Sequence, residues 1–342
     1  MNRRHRSAAT VAVLALAGAI FAVLFWQPIA KWMQPAPVPV SEKLTIAVIN
    51  TYIGSGLVLI AANKGYFAAE GLEVALQPYS AGRAALEAVL KNEADMTTIG
   101  NLPIIFATLD KVPLSIVASI ARAYKGAGIV ARRDRGIAQA TDLTGKRVGV
   151  SYGTDGHFVL GVILAESGMA PDSVNTQNIQ PENLVAALSA GQVDAIVTWE
   201  PLLGHAKDVL DASGISFDLD SGFSFWFNLA GRRDYVRNHP ATMQNLLRAL
   251  LRAERFVEQS PAAASAIIAA ATGTAPAAFD ALRPNFSLHL TLPQGLLTML
   301  EDQAHWAIAN HYTGATEPPN FLDTLYLDAM LAVRPETVSI IR

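Results

Sequence analysis

The chain has 342 residues, 51% of them hydrophobic and 16% charged, and a formal net charge of −3 at pH 7. This length and apolar content allow a large buried core and favour two domains, whereas the slightly negative charge gives no electrostatic basis for binding nucleic acid. The absence of cysteine excludes disulfides, thiolate metal sites, cysteine nucleophiles and a lipidated N-terminal cysteine.

The N-terminus has the pattern of an export signal. Three arginines lie within the first six residues, and the segment Ala8–Trp26 then carries no charge. A basic stub before an apolar run directs export, and this run is close to the ~20 residues that span a bilayer as a helix. Because Gln27-Pro28 follows it in place of a small-residue cleavage site, we expect a retained membrane anchor. A cleaved signal is the alternative, and an alanine-rich helix of the folded domain is a third interpretation.

The proline-rich spacer Gln34–Val40 separates this segment from the folded part, so residues 1–40 are predicted to be anchor and linker. Apolar runs and helical periodicity then alternate, which predicts an α/β fold with parallel strands. The predicted strands are Leu44–Ile49, Glu73–Tyr79 and Asp95–Ile99, and the predicted helices are Leu57–Phe67 and Arg83–Lys91.

The same alternation restarts further along, which predicts a second parallel unit and therefore two lobes with a cleft between them. Its strands are Ser115–Ile120, Gly128–Ala131, Val148–Val150 and Val193–Val197, and its helices are Phe158–Ser167 and Glu182–Ala190. The aromatic run Phe223–Asn228 is predicted to be a buried strand that returns to the first lobe near the hinge. Helices follow at Pro240–Gln259, Pro261–Ala271, Leu296–Ala309 and Phe321–Ala332.

Ligands of such sheets bind outside the carboxyl ends of the strands, where loops meet helix N-termini. This rule selects Asn50–Gly56, Ser80–Arg83, Gly100–Pro103, Ser151–His157 and Trp199–Pro201.

The loop Gly153–Gly156 offers backbone N–H groups and the Thr154 hydroxyl to a ligand, although Thr154 or Asp155 merely capping the helix is an alternative. The Asp155 carboxylate either points into the cleft, where it opposes an anion, or caps its own helix from outside. Trp199 can supply a flat apolar wall for a ligand, and Glu200 can supply a hydrogen-bond acceptor. The alternative is that Trp199 is an aromatic residue of the core and Glu200 an acidic residue of the surface.

Three patterns with catalytic or cofactor associations do not meet their structural requirements. Gly126–Ala131 matches G-x-G-x-x-A but runs into a strand, whereas dinucleotide binding needs a helix there. Ser151, Asp155 and His157 are too close in sequence for a nucleophilic relay, and no G-x-S-x-G elbow is present. The seven histidines lack metal-binding spacing and do not cluster with acids. We therefore predict no catalytic residue, no metal site and no cofactor.

Four further segments resemble the nitrate/sulfonate/taurine solute-binding protein family, which also includes binders of thiamine-pyrimidine precursors. They are Gly65–Val74, Asp142–Val150 followed by Gly153-Thr154, Ala187–Ala195, and Trp199-Glu200-Pro201. The resemblance implies a type II periplasmic binding protein fold, with lobe I formed by residues 41–130 and 226–342 and lobe II by residues 131–225. It implies these ligand-binding positions: Gly54, Ser55, Ser80, Gly82, Arg83, Gly100, Asn101, Gly153, Thr154, Asp155, Trp199 and Glu200.

The resemblance further implies a periplasmic component of an ABC importer that delivers a small solute to a permease driven by a cytoplasmic ATPase. The expected ligand is a sulfonate, nitrate-like or related organic anion, and the alternative within the family is an amino-pyrimidine or other aromatic solute. From other classes, a pyrimidine-precursor biosynthesis enzyme and a periplasmic sensor use the same fold.

Overall fold

Two β-sheets organise the residues that this computed structural model describes, 42–219 and 224–341. Eleven strands occur in this part of the chain: β1 (Glu42–Ile49), β2 (Leu72–Tyr79), β3 (Met96–Gly100), β4 (Leu114–Ala123), β5 (Ala127–Arg132), β6 (Arg147–Val150), β7 (Asn175–Asn178), β8 (Ala195–Trp199), β9 (Gly214–Asp218), β10 (Phe225–Arg232) and β11 (Phe286–Ser287). The first sheet has the order β11-β4-β10-β3-β1-β2, and the second has the order β7-β6-β8-β5-β9. We call the parts of the chain built on them the first and second lobes.

Helices cover these sheets. In the described chain they are α1 (Gly56–Asn63), α2 (Tyr66–Ala69), α3 (Gly82–Leu90), α4 (Asn101–Leu109), α5 (Asp155–Glu166), α6 (Pro181–Ser189), α7 (Leu202–Leu210), α8 (Arg233–Asn238), α9 (Pro240–Gln259), α10 (Pro261–Thr272), α11 (Pro276–Leu282), α12 (Gln294–Ala309) and α13 (Asp328–Val333). Every residue of β3 and nearly every residue of β4 is buried. Such continuous apolar strands are typical of sheets packed on both faces.

Parallel pairing is confirmed within each lobe, where β1 pairs with β2 and β3, and β6 pairs with β7 and β8. The prediction of parallel pairing is wrong for the strands that follow the two connections between the lobes. Strand β5 is antiparallel to β8 and β9, and β10 is antiparallel to β3 and β4. Both sheets are therefore mixed, because the chain enters the second lobe and re-enters the first by strands that run against their neighbours.

Two segments connect the lobes. The first runs from the end of β4 at Ala123 to the start of β5 at Ala127, and the second from the end of β9 at Asp218 to the start of β10 at Phe225. Phe225 pairs with Ala123, so the second lobe leaves and rejoins the first sheet at one place. The division into lobes at residues 130/131 and 225/226 stays a prediction, and its first border falls inside β5.

Most predicted elements have counterparts in the structure, and helix α9 has the predicted bounds. The helix predicted at Leu57–Phe67 is instead two helices, because Gly65 has a left-handed φ of 69° that ends the first. The helix predicted at Phe321–Ala332 is also broken, into a short 3-10 turn at Phe321–Thr324 and α13.

The sequence does not predict β7, α7 and β9 of the second lobe, nor α4, α8, α11 and β11 of the first lobe. Strand β7 reads Asn-Thr-Gln-Asn and has no apolar pattern to detect. Helix α4 contains Pro103 in its first turn, a position that tolerates proline.

The predicted anchor Ala8–Trp26 and the linker before Val40 lie outside the described residues. Within residues 42–219 and 224–341, no helix is long and apolar enough to cross a membrane.

Candidate ligand-binding cleft

A cleft of about 820 Å³, including space open to solvent, lies between the lobes and is lined by both of them. Aromatic rings dominate its wall: Tyr52, Tyr124, Trp199, Phe225, Trp226 and Phe227. Ser80, Lys125, Thr154 and Asp155 are polar or charged residues of the wall, and the Thr154 hydroxyl donates to the carbonyl of Ser151 (2.7 Å). A largely apolar wall with a few convergent polar groups is typical of small-molecule sites.

Three helices begin at this cleft. Helix α3 follows β2, α4 follows β3 and α5 follows β6, so each helix starts at the carboxyl end of a strand. Gly82, Gly100 and Gly156 bring these helix starts into the cleft wall. The N-cap residues of α3 and α5, Ala81 and Thr154, make no side-chain cap bond to their helices. No side-chain cap therefore satisfies the first-turn N–H groups of these two helices, and the positive end of each helix dipole lies at the cleft wall. In α5 the N–H of His157 is bonded to the carbonyl of Thr154 (2.8 Å).

The start of α4 is different because Asp155 occupies it. The Asp155 carboxylate is carried by α5 of the second lobe, yet its Oδ1 accepts from the backbone N–H of Leu102 (3.1 Å) and from Nε2 of Gln303 (3.4 Å), both in the first lobe. Asp155 thus lines the cleft and caps the opposite lobe's helix, instead of capping its own. Burial raises the pKa of Asp155 to about 6, although the Leu102 and Gln303 hydrogen bonds act in the opposite direction.

Trp199 is the last residue of β8 and forms part of the second-lobe wall. Its ring lies against Gly156, where an added Cβ would be 3.2 Å from ring carbon Cζ3. Glycine at this position therefore lets the ring lie close to the start of α5.

Six of the twelve ligand positions expected from sequence line the cleft, and six do not. Those that line it are Ser80, Gly82, Gly100, Thr154, Asp155 and Trp199. The structure places Gly54, Ser55, Arg83, Asn101, Gly153 and Glu200 outside its wall.

Each of these six outlying residues has another environment. Gly54 packs under Tyr52 and Phe227, and Gly153 lies near Phe106. The buried Ser55 hydroxyl donates to the carbonyl of Ile49 (2.7 Å). Asn101 is buried and accepts from Asn228 (2.9 Å). Arg83 forms an exposed ion pair with Glu87 (3.5 Å). The Glu200 carboxylate accepts from the N–H of Gly204 in the helix that follows it, α7 (2.9 Å).

The crossing segments contribute wall residues that sequence reasoning did not assign to the site. Tyr124, Lys125 and Gly126 come from the first crossing, and Phe225 to Phe227 come from the strand that follows the second. The aromatic run at 223–228 was the available signal, since it was expected near the hinge. Arg122 supports both groups: its guanidinium lies 4.8 Å from the Tyr124 ring and 4.7 Å from the Trp226 ring.

The lobes also meet away from the cleft, where α5 packs against α12. The His157 ring lies 5.4 Å from the Trp306 ring and 4.5 Å from the Tyr312 ring. Burial lowers the pKa of His157 to about 4, so the imidazole is neutral at pH 7. The Ser151 hydroxyl donates to the carbonyl of Ile179 (2.6 Å). Ser151, Asp155 and His157 thus have separate partners and do not form a nucleophilic relay.

The prediction that the histidines do not cluster with acidic residues is wrong for His289. His289 lies 3.1 Å from Glu254, and Glu258 brings a third ligand atom within 4.8 Å of these two groups. The Glu254 carboxylate already accepts from the N–H of Leu290 (2.7 Å) and pairs with Arg334. An arginine therefore neutralises this buried acid, and the cluster connects α9 to the C-terminal part of the first lobe.

Comparison with known proteins agrees with this architecture. A putative binding protein of Brucella abortus is 25% identical over 221 residues, which are 63% of this chain and 67% of the relative. The taurine-binding periplasmic protein of Escherichia coli is 22% identical over 201 residues, 57% of this chain and 61% of the relative.

Among solved structures, the alkanesulfonate-binding protein of Xanthomonas axonopodis pv. citri bound to MOPS superposes with a TM-score of 0.71. The two sequences are 21% identical, and the superposition covers 86% of this chain and 99% of the alkanesulfonate-binding protein. This likeness confirms the two-lobed α/β fold of periplasmic binding proteins. The family model described as NMT1/THI5 like matches residues 54–264, more than half of the chain. The chain therefore belongs to the NMT1/THI5-like family.

Proposed function

We propose that this protein is the extracytoplasmic solute-binding component of an ABC importer, and that it captures a small sulfonate or related organic anion between its lobes. The observation that carries the proposal is the meeting of helix starts from both lobes at one aromatic cleft. No covalent chemistry is assigned to the chain. Its partners are then the ligand and a permease with a cytoplasmic ATPase.

The anionic group is assigned to the starts of α3 and α5. The first residues of both helices line the cleft without a side-chain cap, and Ser80 lies in the same wall. The Thr154 hydroxyl donates to the carbonyl of Ser151 (2.7 Å), so the backbone N–H groups are the donors assigned to the anion. Each helix start favours a negative charge by ~0.3–1 kcal/mol when exposed and up to ~2 kcal/mol when partly buried. Lys125 lines the same cleft and adds a positive charge. Because α3 and α5 belong to different lobes, an anion that contacts both stabilises the closed protein.

The organic part of the ligand is assigned to the aromatic wall. Tyr52 and Phe227 form an edge-to-face pair with ring centroids 4.8 Å apart, and Trp199 faces the cleft from the second lobe. These rings provide apolar surface on two sides of a ligand. This composition suits a sulfonate with a carbon skeleton better than nitrate, which has none to bury.

An aminated aromatic solute, such as an amino-pyrimidine, is the second candidate, and the Asp155 carboxylate favours it. A carboxylate in the wall accepts from an exocyclic amine, and the Trp199 ring can stack on a heterocycle. The relatives that bind taurine and alkanesulfonate support the anion instead.

The lobe borders and the tether belong to the same proposal. Residues 41–130 and 226–342 form lobe I, and residues 131–225 form lobe II. Ala8–Trp26 holds the protein at the outer face of the inner membrane, with the spacer Gln34–Val40 between the membrane and lobe I.

Isothermal titration of the full-length protein with a panel of probes tests this function. The panel contains taurine, hexanesulfonate, benzenesulfonate, nitrate, a carboxylate and a 4-aminopyrimidine. We expect saturable binding of a sulfonate. Trp199→Leu should weaken it about two- to twelvefold by removing ring contact worth ~0.5–1.5 kcal/mol. The control Tyr66→Leu, which changes an aromatic residue against Arg252, should not weaken it. Binding of the aminopyrimidine alone would favour the second candidate, and binding of none of the probes would contradict both.

A further inference from the structure

We propose that Asp155 is a built-in competitor for anions: its carboxylate occupies the start of α4 across the cleft, so an anionic ligand gains this third helix start only when the carboxylate is neutralised or displaced. This inference rests on the proposed function, because it concerns which charge the same cleft accepts. It assigns to Asp155 the control of charge preference.

The geometry of the contact supports this role. Asp155 is the first residue of α5, and the bond from the N–H of Leu102 to its Oδ1 joins residues 53 positions apart in the chain. Gln303, from α12, donates to the same oxygen. The carboxylate therefore has the position and the donors that an anionic ligand group would have at a helix start.

Gly100 gives an independent indication that this position is shaped for the carboxylate. It is the N-cap residue of α4, and its φ of −71° is open to any residue. A Cβ built on it would nevertheless collide with Oδ2 of Asp155, and its three nearest atoms all belong to that carboxyl group. The space that a side chain at position 100 would fill is thus taken by Asp155.

The groups around Asp155 leave its charge largely uncompensated. Its hydrogen bonds come from neutral donors, namely the backbone of α4 and the Gln303 amide. Tyr52, from the loop after β1, remains a neutral phenol because burial and the Asp155 charge raise its pKa. On α5 itself, His157 packs against aromatic rings and is neutral at pH 7. Lys125 is the cationic residue of the cleft wall, on the first crossing.

A pH dependence of anion binding follows. With a pKa of about 6, only about 3% of Asp155 is neutral at pH 7.5, whereas about 90% is neutral at pH 5. If the binding-competent form is the one with a neutral carboxyl, the apparent affinity for an anion falls in proportion to that fraction. The expected loss between pH 5 and pH 7.5 is about thirtyfold, and an aminated ligand should show no such loss.

Titrations of full-length wild type and Asp155→Asn with benzenesulfonate at pH 5 and pH 7.5 test the competition. Asparagine keeps the shape and the acceptor oxygen but carries no charge. We expect wild type to lose about thirtyfold in affinity at the higher pH and the variant to change by less than about threefold. Asp302→Asn, on the exposed side of α12 next to Gln303, makes the same charge change away from the cleft and should behave like wild type.

A measurement without ligand separates this inference from the proposed function. In protein labelled with ¹⁵N-leucine, the Leu102 amide resonance should titrate with a midpoint near pH 6 in wild type and Asp302→Asn, and should be flat in Asp155→Asn. A flat Leu102 resonance in wild type overturns the inference, whatever binds. If the resonance titrates but no probe binds, the sulfonate function fails while the contact across the cleft stands. Equal pH dependence of sulfonate affinity in wild type and Asp155→Asn also overturns the competition.

Discussion

Replacing Gly100 with alanine should force the Asp155 carboxylate away from α4. The resulting loss in the free energy of unfolding can be measured separately from other effects. The added Cβ would collide with Oδ2, whereas the backbone at φ −71° accommodates alanine without strain. The main loss is then the bond from the Leu102 N–H to a charged acceptor. Hydrogen bonds to charged groups contribute ~1.5–3 kcal/mol, and the freed N–H loses its partner. We expect Gly100→Ala to be destabilising by about this amount.

A double-mutant cycle with Asp155→Ala assigns the cost to this contact. Urea unfolding, followed by both fluorescence and circular dichroism, gives the free energy of unfolding of wild type, each single variant and the double variant. Once Asp155 is shortened, Gly100→Ala should cost only a few tenths of a kcal/mol, so the coupling energy should be about 1.5–3 kcal/mol. Gly314→Ala, where nothing lies within 4 Å of the added Cβ, is the control. Equal costs in both backgrounds, within about 0.5 kcal/mol, would refute the reasoning.

Two further predictions concern other parts of the chain. Arg147 holds the pKa of Asp194 below its usual range through bonds of 2.7 and 3.1 Å, so this pair stabilises the second lobe above pH ~4 and its contribution is lost as the pH falls through the lowered pKa. Asp194→Asn should therefore cost about 1–3 kcal/mol at pH 7 in urea unfolding and less at pH 3, and an equal cost at both would contradict this. If Ala8–Trp26 is retained, the protein should stay in the membrane fraction after carbonate extraction, and a soluble periplasmic form starting near residue 30 would exclude the tether.

Sequence reasoning identified the central strands because they are mostly apolar, but it grouped Ser115–Ile120 with the second parallel unit, whereas β4 lies in the first sheet. The segments Leu44–Ile49 and Ser115–Ile120 can be recognised as strands without knowledge of their partners, since burial on both faces favours mostly apolar residues. The rule that ligands bind outside the carboxyl ends of strands selected the helix starts after β2 and β6, and the structure has Gly82 and Thr154 in the cleft wall.

The remaining site residues depend on how the lobes meet, which a local pattern does not contain. Whether Asp155 caps its own helix or the helix at Leu102 is decided by the approach of two lobes. Ser55 and Asn101 are polar residues beside the cleft, but their hydroxyl and amide bond to neighbouring buried groups. Tyr124 and Trp226 line the cleft where they flank the crossings, and both stack on Arg122. Arg122 and Trp226 are about a hundred positions apart in the chain.

The position of β10 has a consequence for the order of folding. Within the first sheet, β4 pairs with β10 and β11, and both come after the whole second lobe in the chain. A growing chain that has reached Asp218 can complete the second sheet, while β4, ten residues of mostly apolar strand, still lacks its neighbours. Unpaired strands of this kind favour aggregation, and distant pairings form slowly. The second lobe is thus expected to fold first, and β4 is the segment that most needs protection by a chaperone until Phe225–Arg232 has emerged.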